Sequence, residues 1–148
     1  MLAIIGGSGL TQLPNMKISR REAVRTPYGE PSSALTFGNI AGHEAVFLAR
    51  HGDGHTIPPH QVNYCANIWA LHAHGVKNVV AIVSVGGITG DIKPGVLAVP
   101  DQIIDYTHGR ANTFFTGADH RVHHIDFTRP DCQTLRAACL KAARSVWQ

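Results

Sequence analysis

Long apolar runs are missing from this chain. The N-terminus, Met1-Leu2-Ala3-Ile4-Ile5-Gly6, has no basic stretch, and its apolar run stops within the first turn-sized segment. That is too short for a signal peptide or a membrane-spanning helix. The later apolar stretch at 79–85 is of strand length. Cysteine is scarce: Cys65, Cys132 and Cys139 form an odd set without CxxC spacing, which reads as reduced thiols in the cytosol rather than a disulfide framework. Runs of a single charge are also lacking. Arg20-Arg21 is the densest basic stretch, the formal net charge is only +3, and the basic and aromatic residues form no patch or motif typical of nucleic-acid binding. These absences predict a cytoplasmic chain with neither a membrane nor a nucleic-acid partner.

What is present is a globular composition. The 148 residues are 44% hydrophobic and 16% charged, enough to bury a core in one domain. The spacing predicts a buried strand at 2–5 that runs into Gly6-Gly7. Strands at 34–40 and 44–49 follow, joined by a hairpin turn at Ala41-Gly42-His43. Pro58-Pro59 breaks the chain, and helical spacing from Val62 to His74 ends at Gly75. A second buried strand is predicted at 76–85, with shorter ones at 96–99 and 103–106. A long polar loop spans 107–130, and a last helix carries Leu135, Ala138, Cys139, Ala142 and Val146 on one face. Strands alternating with helices predict an α/β fold, and the hairpin makes its central, helix-flanked sheet mixed rather than all parallel.

Three segments carry chemistry. In Ile5-Gly6-Gly7-Ser8-Gly9-Leu10 a strand enters glycines, whose backbone N–H groups can close around an anion while Ser8 adds a hydroxyl donor. The segment taken alone fits either an anion site or a plain tight turn, since it matches neither the P-loop nor the dinucleotide pattern. In Ala49-Arg50-His51-Gly52 an apolar strand delivers an arginine, whose planar fork can make two parallel bonds to a phosphate, and a histidine beside it. A strand-end arginine in water is the alternative. In Val83-Ser84-Val85-Gly86-Gly87 a strand ends in small residues, where open α/β sheets gather ligands; a merely flexible loop is the alternative. The ten histidines raise a metal reading, with His51, His55 and His60 close together and His123-His124 adjacent. No HExxH spacing occurs, and Pro58-Pro59 prevents a helix from joining His55 to His60, so no metal is expected. Cys65 lies within the predicted helix without a fixed base partner and is not assigned as a nucleophile, and Trp69 is assigned to the core.

Taken together, these segments resemble the trimeric purine nucleoside phosphorylase family. The matching stretches run in family order: Ile4-Ile5-Gly6-Gly7-Ser8-Gly9-Leu10, Thr26-Pro27-Tyr28-Gly29, Arg50-His51-Gly52 with His55 and Ile57-Pro58-Pro59-His60, Val62-Asn63-Tyr64 with Ala66-Asn67-Ile68-Trp69-Ala70-Leu71, Gly86-Gly87-Ile88 and Asp101-Gln102-Ile103-Ile104-Asp105. Ile104-Asp105-Tyr106-Thr107-His108-Gly109-Arg110 and His124-Ile125-Asp126-Phe127 look most like the bacterial S-methyl-5′-thioinosine phosphorylase branch.

The resemblance implies a nucleoside phosphorylase-like α/β fold, a homotrimer, inorganic phosphate as co-substrate and no cofactor. It places phosphate on Ser8, Arg50, His51 and the strand-end pair Val83 and Ser84, and substrate near His55 and His124. His124 matches a residue that reaches a neighbouring subunit's site in methylthioadenosine enzymes. Two departures stand out: Cys65 where many relatives have arginine, and Val83 where a polar residue is usual. The family's base-reading and base-assisting groups fall after residue 148. Residues 1–148 are therefore expected to form the N-terminal portion of one phosphorylase domain. The activity implied is that of a pentosyltransferase, phosphorolysis of a 5′-methylthio-purine nucleoside, with S-methyl-5′-thioinosine favoured. The rivals are 5′-methylthioadenosine or general purine nucleoside phosphorolysis and, from another class, a non-catalytic phosphate-binding fragment.

Overall fold

Successive side chains of two apolar segments divide between opposite hydrophobic layers, which puts both segments at the centre of a sheet. A computed structural model describes residues 1–118 and 121–146. Its strands are β1 (Leu2–Gly6), β2 (Lys17–Glu22), β3 (Leu35–Ile40), β4 (His43–Ala49) and β5 (Asn78–Ala81), and its α-helices are α1 (Tyr64–Ala73) and α2 (Gln133–Val146). The five strands form one sheet in the order β2-β3-β4-β1-β5. β1 runs parallel to β4 and β5, while β3 pairs antiparallel with β2 and β4. The sheet is mixed, as the hairpin predicts. Contacts divide the chain into two compact units: Met1–Ser84 with Gly109–Phe114, and Val85–His108 with the described residues from Phe115 onward.

In the first unit, Ala3 and Ile5 of β1, Phe37 of β3, and Val46 and Leu48 of β4 form one core layer with Ala70 and Leu71 of α1. The intervening Ala45, Phe47 and Ala49 turn the other way and pack with Met16 and the half-buried Ile4, Leu10 and Leu13. Leu35, Leu48 and Leu71 are fully buried; burial of such a side chain contributes about 1.5–3 kcal/mol. The β3–β4 turn needs two consecutive left-handed residues to match the strand twist, and Ala41 and Gly42 supply φ of 51° and 85°. Helix α1 starts where Asn63 Oδ1 accepts the Ala66 N–H at 3.0 Å, and it stops at Gly75, whose φ is +75°.

Strand β2 has no apolar alternation, and nothing in its sequence predicts it. It forms because β3 offers it an open edge. Ser19 Oγ donates to the Phe37 carbonyl at 3.2 Å, and the Arg20 guanidinium lies 3.7 Å from the centre of the Phe37 ring. The strand predicted at 76–85 is shorter than expected and not buried: β5 covers Asn78–Ala81 alone, with Val80 half-buried and its neighbours exposed. The reason is its partner. β1 pairs Leu2 with Asn78 through Ile5 with Ala81, and after the Ile82 N–H bond to the Ile5 carbonyl the glycine turn that follows β1 continues no ladder with this strand.

β2 also meets the end of α1. His74 Nδ1 lies 2.8 Å from the Ala70 carbonyl and Nε2 lies 3.0 Å from Glu22 Oε1; both partners accept, so both ring nitrogens carry protons in this arrangement. The hydrogen bond from His74, and then that from Arg20, holds the Glu22 carboxyl below its ordinary 4.5. The bond to Glu22, and then that to Ala70, holds the His74 imidazole above its ordinary 6.5. A raised imidazole contributes stability that is complete below its ordinary value and lost as pH climbs past the raised one. A depressed carboxyl contributes stability that is complete above its ordinary value and lost as pH falls through the lowered one. The pair therefore stabilises most between pH 4.5 and 6.5. Glu22→Gln should lower the melting temperature most in that window, with the gap to the parent closing at alkaline pH. A gap independent of pH would contradict the pairing.

In the second unit no described residue is buried. This accounts for a second difference from the sequence reading: residues 96–99 and 103–106 form no strands. A Val/Ile-rich segment has the propensity for strand, but without a ladder partner or a core to face it gains nothing from extending. The loop predicted across 107–130 contains neither helix nor strand among its described residues. Arg136 Nε of α2 donates to the Pro100 carbonyl at 2.7 Å, Gln102 Nε2 donates to the Thr128 carbonyl at 3.1 Å, and Phe115 stacks on His123 with centroids 4.2 Å apart. Among the described residues no helix is long and apolar enough to cross a membrane.

Candidate functional site

Parallel pairing lines up the carboxyl ends of β4, β1 and β5 in the first unit, so three segments distant in sequence finish side by side. The Arg50 N–H donates to the Gly6 carbonyl at 3.0 Å, and the Ile82 N–H donates to the Ile5 carbonyl at 2.9 Å. One step further along, Ser84 Oγ donates to the Ser8 carbonyl at 3.2 Å. Ser8, Arg50, Val83 and Ser84 thereby come to one end of the sheet. Val83 and Ser84 are exposed there.

Gly7 explains how tightly these ends approach. A Cβ at this position would fall on Arg50 Nη2 and lie 2.9 Å from the Ile82 carbonyl oxygen. The guanidinium is thus laid directly over the backbone of the glycine turn, a close approach that only glycine permits. Gly6 is constrained as well: a Cβ there would overlap the Leu10 carbonyl oxygen and lie 2.7 Å from the Phe47 ring. Arg50 is half-buried, and among the described residues no carboxylate lies within ion-pair distance of it. A partly buried cation without a counter-charge, beside a glycine turn, is suited to an anion.

His51 follows Arg50 and is buried at 8% exposure. Its Nδ1 lies 2.8 Å from the Ile57 carbonyl, and its own carbonyl accepts the Ile57 N–H at 3.0 Å, so a double link orients the ring. His55 stands beside it with ring centroids 4.9 Å apart, exposed and at φ +54°. His124 belongs to the second unit and is exposed. Among the described residues no group of three or more His, Cys, Asp or Glu is placed to hold a metal ion.

Several residues quoted for their motif turn out to fix the loop before β3. Asn67, 2% exposed, accepts the Ser32 N–H at 2.7 Å and donates to Ser32 Oγ at 2.9 Å. Asn63 Nδ2 donates to the Tyr28 carbonyl at 2.7 Å, and Ser33 Oγ accepts the Ala49 N–H at 3.1 Å, next to Arg50. Sequence reasoning missed Ser32, Ser33 and the Ile57 carbonyl, because such long-range polar contacts leave no periodic signal. Cys65 is buried on α1 with Sγ 3.7 Å from the Thr113 carbonyl and 3.9 Å from that of Ala111. Trp69 is half-buried on the same helix.

The fold and the strand-end residues together define an α/β protein in which an arginine meets a glycine turn at the carboxyl ends of a mixed sheet. The chain belongs to the phosphorylase superfamily, whose family model matches residues 1–146. It is 48% identical over 143 residues to a probable S-methyl-5′-thioinosine phosphorylase of Xanthomonas campestris, covering 97% of this chain and 57% of that protein. It is 46% identical over 150 residues to a 6-oxopurine nucleoside phosphorylase of Pyrococcus furiosus, covering 98% of this chain and 56% of that one. Among solved structures, methylthioadenosine phosphorylase from Schistosoma mansoni in complex with adenine matches with a TM-score of 0.90 and 37% identity, over 97% of this chain and 53% of that chain. The chain therefore spans a little over half the length of these relatives.

Proposed function

We propose that the strand-end cradle binds inorganic phosphate for the phosphorolysis of a 5′-methylthio-purine nucleoside, with S-methyl-5′-thioinosine the favoured substrate. The observation that carries the reading is the Arg50 guanidinium laid over the Gly7 backbone with no carboxylate partner among the described residues. In this reading Arg50, His51, Ser8 and the backbone at Val83 and Ser84 hold the anion, while for His55 and His124 a role at the nucleoside rests on the sequence resemblance alone. A phosphate oxygen forms the bond to C1′ as the C1′–N9 bond breaks, and the purine leaves with that electron pair and takes up a proton. The products are the free purine and 5-methylthioribose 1-phosphate. Positive charge gathers on the ribosyl ring in the transition state, so a fixed phosphate dianion is both nucleophile and counter-charge. The protein's work is positioning and electrostatics.

The relatives' names divide among methylthioinosine, 6-oxopurine and methylthioadenosine enzymes, and for that reason the substrate is tested directly. Methylthioinosine, methylthioadenosine and inosine should be assayed side by side with and without phosphate. Phosphate-dependent cleavage fastest with methylthioinosine is expected. Faster cleavage of either of the others would reassign the base, and phosphate binding without cleavage of any would reduce the assignment to a phosphate-binding chain. The same reading carries a homotrimer, a cytoplasmic setting, no cofactor, and no nucleic-acid or membrane partner; sedimentation analysis tests the trimer.

A further inference from the structure

The orientation of His51 determines which hydrogen bond it can offer an anion. The Ile57 carbonyl can only accept, so the proton of the 2.8 Å contact sits on Nδ1. A neutral imidazole carries a single N–H, and with that proton on Nδ1 the other nitrogen, Nε2, is a bare acceptor. Nε2 has no hydrogen-bond partner among the described residues. No buried side-chain nitrogen or oxygen among the described residues lacks a partner, so Nε2, being unpartnered, has access to solvent. The link does not depend on one bond alone, because the Ile57 N–H returns to the His51 carbonyl and closes the ring's position from the backbone side.

We propose that His51 makes the cradle selective for an anion that still carries a proton. This rests on the phosphate assignment above and adds a specificity to it. Arg50 presents N–H donors and requires acceptor oxygens, whereas His51, in the tautomer that donates from Nδ1 to Ile57, presents a lone pair at Nε2 and requires a donor. Monohydrogen phosphate satisfies both, with one P–O–H directed at Nε2 and anionic oxygens left for Arg50 and the backbone N–H groups. The oxygen that attacks carbon is then one of the unprotonated ones, since the proton is kept on the oxygen facing His51. Anions of similar size and equal charge without a proton, sulfate and monofluorophosphate, bring an acceptor to an acceptor. A site built around a hydrogen bond discriminates strongly against a ligand that lacks it.

The test is equilibrium binding of inorganic phosphate, monofluorophosphate and sulfate to the full chain at mildly alkaline pH, by calorimetry. Phosphate should bind at least about tenfold more tightly than either of the others. In His51→Gln, whose amide can donate as well as accept, the gap should shrink to about twofold. Equal binding of phosphate and monofluorophosphate by the parent overturns the inference and leaves the phosphate site standing. A gap that persists unchanged in a folded His51→Gln protein also overturns it. No binding of phosphate at all removes the site itself, and the inference with it. A second measurement needs no variant: the nitrogen NMR resonances of His51 should show Nδ1 protonated and Nε2 unprotonated in the phosphate complex. A protonated Nε2 there overturns the inference.

Discussion

Replacing Arg50 with alanine should reduce phosphate-dependent turnover by on the order of a hundredfold or more, the loss that follows removal of one preorganised charged donor. The effect should fall on phosphate, and the fold should survive. Arg50 is attached to the sheet by its backbone N–H on Gly6, which alanine keeps, and its side chain forms no ion pair among the described residues. Arg50→Lys should recover only part of the loss, because an ammonium cannot reproduce the planar fork. Phosphate Michaelis constants and turnover numbers measured for both variants check this. Parental values in Arg50→Ala would remove Arg50 from the cradle.

Gly7→Ala should be nearly as damaging to phosphate binding without altering any charge. The new Cβ meets Arg50 Nη2, which can swing away, and the Ile82 carbonyl oxygen at 2.9 Å, which cannot move without disturbing the chain beyond β5. The arginine is therefore displaced from the turn and the strand ends are pushed apart. A stability cost of about 1–3 kcal/mol is expected from the overpacking. The informative measurement is a double-mutant cycle. With Arg50 already alanine, the added methyl at position 7 should have much less left to cost in phosphate affinity, so the two losses should fall well short of additivity. Full additivity would mean that the glycine and the arginine act on separate sites.

Much of this architecture is legible in the sequence because its signals are local. The apolar run ending in Gly6-Gly7 marks β1, Ala41-Gly42 marks the β3–β4 hairpin, and helical spacing closed by Gly75 marks α1. β2 is not legible, since Lys-Ile-Ser-Arg-Arg-Glu has no alternation and is held by pairing and by the stacking of Arg20 on Phe37. The opposite error occurs at 76–85, where Val and Ile signal a long buried strand but β1 is long enough to pair only with Asn78–Ala81. At the site, the glycine turn and the Arg-His pair stand out by residue type. Their convergence depends on a parallel register that no single segment encodes. The tie from Ile57 to His51 is invisible for the same reason: a backbone carbonyl has no sequence signature.

β4 lies between β3 and β1, and its last residues, Ala45 to Ala49, are buried. Arg50 thus follows directly on a buried strand paired on both sides. A ligand arriving at such a group finds the donor already in place and gives up little conformational entropy in settling there, so more of the electrostatic attraction is retained as affinity.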